Sequence, residues 1–258
     1  MPLLPRRQLR ISLREFKPTE TRKTYSRLTF SSTVIRKVWD THTGECLNTL
    51  HHSHIVRAVA FPVQSSPQVL ATGGAERKLR IFDLTRSNES SNNGGGNKFS
   101  AADSSSVTSY EIGPGVHEGT IKSVVWSQDY NILSTAAEDQ KIRWWDLRAR
   151  HPIVEYPVQG PIGTYELNSL AAVRPNDPGI LSAAAGKAVY LFDGVVPGRL
   201  LKKVDLPYEV ASAAVNDETG RLVTGGAANT WARAYDLHTD EELGIFCFHF
   251  PLFSFLFA

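Results

Sequence analysis

Three sets of residues in this chain have types and spacing that chemistry could use. His117, Thr135 and Asp139 supply the imidazole, hydroxyl and carboxylate of a hydrolytic triad. The run "HHSH" at 51–54, with His42 and Cys46 nearby, offers donors to a transition metal. "TGG" at 72–74 and again at 224–226 has the small residues of a phosphate-cradling turn. Each meets an objection. Histidines at i, i+1 and i+3 of an extended segment alternate sides and cannot all face one ion. Neither "TGG" is followed by a helix start or by Gly-Lys-Ser/Thr. No nucleophile elbow or oxyanion-donor loop accompanies the triad-like set. No catalytic, cofactor-binding or metal-binding residue is therefore assigned, and no cofactor is expected.

Repetition weighs more than any of these objections. "IRWWDLR" at 142–148 has relatives in "IRKVWD" (35–40), "LRIFDL" (79–84), "VYLFD" (189–193) and "ARAYD" (232–236). The aromatic residue before each Asp, taken as a ruler, falls at Trp39, Phe82, Trp145, Phe192 and Tyr235, in steps of 43, 63, 47 and 43 residues. The long step contains the 20-residue Ser/Asn/Gly-rich stretch 87–106, which has too little apolar surface to order itself. Without it the step is 43. A period of about 40–45 residues marks an array of four-stranded blades. Within a repeat, "IKSVVWS", "NILSTAA", "KIRWWDL" and "PIVEYPV" are short β-type runs separated by turn formers. In the third run Ile142, Trp144 and Asp146 share one side, and Arg143, Trp145 and Leu147 the other. The expected fold class is all-β.

Two repeats share more than their ends. His117 precedes Trp145 by 28 residues, as His54 precedes Phe82; Thr135 and Thr72 each lie ten before the aromatic, and Asp139 and Glu76 six. On these residues the chain resembles the WD40-repeat family, in which such a His, hydroxyl, acid and Trp form a hydrogen-bonded relay inside a β-propeller blade. The resemblance makes His117, Thr135, Asp139 and Trp145 a complete relay. His54 and Thr72 belong to one with two departures, because Phe82 has no N–H to donate and Glu76 has one methylene too many. The repeats ending at Phe192 and Tyr235 have Gly186 and Asn229 at the acid position and no His, so apolar packing is expected to hold them. Such a relay satisfies buried polar groups that would otherwise be costly. Trp145 then reads as a structural strut, and Trp144 as packing between neighbouring blades.

Outside the repeats the chain changes character. Residues 1–33 carry eight Lys/Arg against Glu15 and Glu20, a charge of +6, so the remainder of a chain with net +2 is at −4. That body is not built to neutralise nucleic-acid phosphates. The leader admits three readings: a transit peptide, disfavoured by its two acids, a binding arm, or a disordered segment foreign to the native frame. The repeats are assigned to 34–244, and 245–258 is an apolar non-repeat tail too short to span a membrane. Cys46 and Cys247 make no disulfide framework, which with no secretory signal points to the cytoplasm and nucleus.

"KVWDTHTGECLNTLHHSHIVRAVAF" (37–61), "TGGAERKLRIFDL" (72–84) and "LVTGGAANTWARAYDLHTDEEL" (222–243) further resemble the serine-threonine kinase receptor-associated, or unr-interacting, family. That likeness implies a seven-bladed, non-catalytic propeller, of which about four full blades and half another are present. It implies a protein-binding scaffold of the survival-of-motor-neuron complex that assembles spliceosomal ribonucleoproteins for mRNA splicing, and an association with receptor kinases. The alternative is the WD40 subunit i of translation initiation factor 3, and a remote one is a propeller enzyme. Partners are expected to be protein subunits of such assemblies, with no direct nucleic acid, membrane or small-molecule substrate. Arg80, Lys141, Arg143 and Arg148 are candidate contacts. An array truncated at both ends would leave two apolar blade faces uncovered and would be marginally soluble.

Overall fold

A computed structural model describes residues 25–28, 35–41, 43–62, 68–87, 107–149, 151–168, 179–228 and 231–247. All regular structure in these segments is β-strand, arranged in five antiparallel sheets. The first sheet has three strands, β1 (Tyr25–Leu28), β2 (Ile35–Asp40) and β3 (Cys46–His51). The second has four, β4 (Val56–Ala60), β5 (Val69–Gly74), β6 (Leu79–Ser87) and β7 (Val107–Ile112). The third is β8 (Ile121–Trp126), β9 (Ile132–Ala137), β10 (Lys141–Asp146) and β11 (Pro152–Pro157). The fourth is β12 (Ile162–Asn168), β13 (Ile180–Ala185), β14 (Ala188–Asp193) and β15 (Leu200–Asp205). The fifth is β16 (Val210–Asn216), β17 (Arg221–Gly226), β18 (Trp231–Asp236) and β19 (Glu242–Cys247). Among the described residues no helix is long and apolar enough to cross a membrane.

The sheets are meanders that stack in chain order, with β4, β8, β12 and β16 side by side as inner strands. This is an open, incomplete propeller. Its sheet region is wider than 34–244. β1 lies inside the stretch read as leader, because Arg27 and Leu28 pair with Trp39 and Val38, and β19 carries the last sheet to Cys247. β6 runs to Ser87, the first residue of the Ser/Asn/Gly stretch, and β7 begins just after it. The rest of the leader, the insertion and the tail lie outside the described residues, as do His42 and Asn229.

The alternation of the third strands decides the stacking. Trp145 goes into a core with Ile81, Ile112, Ile121 and Trp126, between the second and third sheets. Trp144, one residue away and facing oppositely, joins Tyr165, Leu181, Tyr190 and Phe192 between the third and fourth. Its ring meets Phe192 edge-on with centroids 5.1 Å apart, a favoured arrangement for aromatic pairs. Each inner strand carries a bulge near its start, at 56–58, 121–123, 162–165 and 210–212. Bulges sharpen local twist, and neighbouring inner strands are joined by side chain to backbone bonds. Ser123 Oγ donates to the Tyr165 carbonyl at 2.8 Å, and Ala213 N–H donates to Thr164 Oγ1 at 2.9 Å.

Candidate functional site: the repeated polar struts

The triad-like residues of the third sheet do come together, but not as a triad. Trp145 Nε1 donates to Thr135 Oγ1 at 2.9 Å, and that oxygen lies 3.3 Å from His117 Nε2. The other ring nitrogen, Nδ1, is met by Arg143 Nη1 at 3.2 Å. A guanidinium has donors only, so His117 Nδ1 accepts, Nε2 carries the proton, and Nε2–H donates to Thr135. Asp139 reaches the ring through Arg143, whose Nη1 donates to Oδ2 at 2.8 Å. Asp139 also accepts the backbone N–H groups of Glu118 and Lys141, each at 3.2 Å, which ties down the turn between β9 and β10. Arg143 Nε donates to Glu155 Oε1 at 3.0 Å on β11.

This network leaves no free base. Thr135 is 0% exposed, Arg143 1% and His117 4%. Burial, helped by the Arg143 charge, lowers the His117 pKa to about 4 against the pull of Asp139 and Glu155. At neutral pH the imidazole is therefore uncharged with both nitrogens engaged. Gly113 fixes the other side of Trp145. It has φ +58°, and a Cβ there would stand 2.2 Å from the indole, so only glycine fits.

Arg143, expected as a partner contact, is instead buried, because it shares the Trp145 side of β10. The other three expected contacts keep exposure. The Arg148 side chain is 67% exposed while bonded to Asp146, that of Lys141 is 38% exposed near Glu155, and that of Arg80 is 22% exposed against Glu76 at 2.6 Å.

The second sheet repeats the plan incompletely. The buried imidazole against Phe82 is His52, with ring centroids 5.3 Å apart, whereas His54 is exposed. The backbone N–H of His54 donates to Glu76 Oε1 at 3.1 Å, beside that of Ser53. The 28-residue offset thus selects the wrong histidine, because the hairpin between β4 and β5 is two residues longer than that between β8 and β9, Val59 pairing with Thr72 where Val124 pairs with Thr135. His52 and His117 each lie four residues before their inner strand. Thr72 is buried as expected. His52 Nε2 finds no hydrogen-bond partner among the described residues, and burial lowers its pKa to about 4. The ring is thus neutral near pH 7, and its 3.9 Å approach to Glu76 is no ion pair. His51 is exposed, so the adjacent histidines of "HHSH" face different surroundings.

The fifth sheet departs from the apolar packing expected of it. Tyr208, in the loop before β16, bonds Thr224 Oγ1 at 2.5 Å and Tyr235 Oη at 3.0 Å, and Tyr235 Oη donates to Glu242 at 3.1 Å. Thr224 pairs across the hairpin with Arg233, as Thr135 pairs with Arg143 and Thr72 with Arg80. The hairpin is one residue longer, which hides the equivalence from a fixed offset. Arg233 lies 4.2 Å over the Tyr208 ring, a cation–π contact. In the fourth sheet the Phe192 strut is fully buried against Trp144, Tyr156 and Tyr190.

The acid that follows each aromatic has its own task. Asp40, Asp83, Asp146, Asp193 and Asp236 accept the backbone N–H of Thr43, Thr85, Arg148, Val195 and His238 at 3.3, 3.0, 2.9, 2.8 and 2.8 Å. An Asp at a strand end that bonds backbone two or three residues on is a turn former. In the second to fifth sheets the aromatic–acid pair is thus one strut in the core and one cap on the next turn, while Trp39 of the first sheet is only half-buried.

Comparison with known proteins agrees with this geometry. The WD40 family (WD domain, G-beta repeat) matches residues 44–83 and 111–146. The chain is 29% identical over 221 residues to the serine-threonine kinase receptor-associated protein of Dictyostelium discoideum, covering 84% of this chain and 64% of that protein. It is 30% identical over 218 residues to the protein of the same name from Gallus gallus, covering 83% and 52%. It is also 28% identical over 126 residues to the U5 small nuclear ribonucleoprotein 40 kDa protein of Dictyostelium discoideum, covering 49% and 34%. The chain therefore spans between half and two-thirds of the length of the receptor-associated proteins it matches. With five stacked sheets, recurring aromatic struts and capped turns, this chain carries two stretches that match WD40 repeats and is similar to the serine-threonine kinase receptor-associated proteins.

Proposed function

We propose that this protein is a non-catalytic scaffold for protein–protein interaction that acts in assembly of spliceosomal ribonucleoproteins, in the manner of the survival-of-motor-neuron complex. An association with receptor kinases follows from the name its relatives carry. The observation that carries the scaffold reading is the engagement of His117. Its ring is neutral, 4% exposed and bonded at both nitrogens, so the best-looking acid–base group is a strut. What the sheets present outward is turns and strand edges, with Arg148, Lys141 and Arg80 as the proposed contacts for acidic partner surfaces. Similarity to a U5 ribonucleoprotein component supports a splicing context, with cytoplasm and nucleus as the compartments.

The test is affinity purification of the tagged full chain from native cells, followed by identification of what co-elutes. Splicing-particle core proteins in the eluate, reduced by Arg148→Glu with Lys141→Glu, support the proposal. Recovery of translation-initiation-factor subunits in their place sinks it.

A further inference from the structure

The third strands β6, β10 and β18 each set an arginine two residues before the aromatic strut. Two of these arginines are answered by acids. Arg80 meets Glu76 at 2.6 Å and stands across from Glu111 on β7. Arg143 meets Asp139 at 2.8 Å and Glu155, across from it on β11, at 3.0 Å. The third is Arg233, on the side of β18 that Tyr235 turns towards the fourth sheet. Across from it on β19 stands Ile245, and the hairpin before it, from Gly225 to Ala232, has no Asp or Glu. Glu242, further along β19, accepts the Tyr235 hydroxyl.

The surroundings of Arg233 are aromatic and apolar. Its guanidinium lies 4.2 Å over the Tyr208 ring. Its Nε, the atom through which Arg143 donates to Glu155, finds no hydrogen-bond partner among the described residues. Two residues before the arginine, where β6 has Lys78 and β10 has Lys141, β18 has Trp231. Residues two apart on a strand share a side, as do residues paired across strands, so Trp231 and Ile245 flank Arg233. They are 42% and 46% exposed. The patch is thus a cation between an indole and an aliphatic side chain. Trp, Tyr and Arg carry much of the binding energy at protein interfaces. A half-buried guanidinium with no carboxylate opposite is complementary to an acid. The register says which acid fits, because a glutamate carboxylate fills that place in both sister strands.

We propose that Trp231, Arg233 and Ile245 form a docking site for an acidic–apolar segment of a partner protein, whose Asp or Glu carboxylate takes the place beside Arg233 that Glu155 takes beside Arg143. Apolar side chains on either side of that acid cover Trp231 and Ile245. The proposal rests on the scaffold reading for the class of its ligand, and adds the place and the chemistry of one contact.

Fluorescence anisotropy of the full chain with a labelled peptide of alternating Leu and Glu tests this, with a peptide of alternating Leu and Gln as control. Saturable binding of the Glu peptide is expected, weakened at least about tenfold in the Gln peptide and in Arg233→Gln. Ile245→Glu supplies the carboxylate from β19 itself. It is expected to fold with a urea midpoint no lower than wild type and to weaken the Glu peptide by a similar factor. No saturable binding, equal binding of the two peptides, or undiminished binding by either variant overturns the proposal, and so does a lowered midpoint in Ile245→Glu. Initiation-factor subunits in the co-elution experiment sink the splicing reading and leave this titration untouched, whereas a failed titration sinks this site alone.

Discussion

Replacing Arg143 with methionine removes the guanidinium and keeps most of the stem. In the wild type this side chain is 1% exposed and bonds Asp139 at 2.8 Å, Glu155 at 3.0 Å and His117 at 3.2 Å. The variant strands the Asp139 carboxylate, itself 5% exposed, without its counter-ion. Removing one partner of a buried pair costs about 3–5 kcal/mol. Two features place the loss near the lower end. Asp139 keeps its two backbone N–H donors, and the Glu155 arm, 38% exposed, adds only about 0–1 kcal/mol after solvent screening. A loss of about 3 kcal/mol is a large part of a typical total of about 5–15 kcal/mol. Urea unfolding of wild type, Arg143→Met, Asp139→Asn and the double variant measures it. The double variant should lose less than the sum of the singles, since no unpaired carboxylate remains. Nitrogen-15 spectra of wild-type His117 should show Nδ1 bare and Nε2 protonated. A loss below about 1 kcal/mol for Arg143→Met, far short of the expected cost, or a proton on Nδ1, refutes the reasoning.

Four further predictions concern the struts of the third and fifth sheets. His117 has its folded pKa lowered to about 4 from 6.5, so the unfolded chain binds the extra proton first as pH falls. Stability from this group is complete above about pH 6.5 and is lost between there and pH 4, on the order of 3 kcal/mol in all. The pH dependence of urea midpoints should be shallower in His117→Gln. Trp145→Phe loses the donor to Thr135 and part of the ring volume, and should cost about 2–4 kcal/mol. Gly113→Ala should cost at least as much by thermal unfolding, since a strained backbone and a clash with the same indole act together. Tyr208→Phe and Tyr235→Phe should each cost about 1 kcal/mol in urea unfolding. The pair should fall short of additivity, because both hydroxyls serve one chain of bonds ending at Glu242.

The sequence by itself determined the local alternatives. A repeat of aromatic–acid pairs at about 43 residues, strands with period two and turn formers between them specify four-stranded meanders. Alternation along "KIRWWDL" was enough to send Trp144 and Trp145 into different cores, because side chains on a strand must alternate. The same alternation put Arg143 with Trp145, a legible signal of burial that its charge obscured. An acid four residues before an Arg, in Glu76/Arg80 and Asp139/Arg143, was likewise visible. Tertiary structure alone decided which groups close each network. Loop lengths placed His52, and not His54, beside Phe82, and brought Tyr208 and Glu242 to Thr224 and Tyr235 across a hairpin one residue longer than its counterparts. Hydrogen bonds require atoms within about 3.5 Å and correct direction. A fixed sequence offset carries neither once a connection between strands changes length.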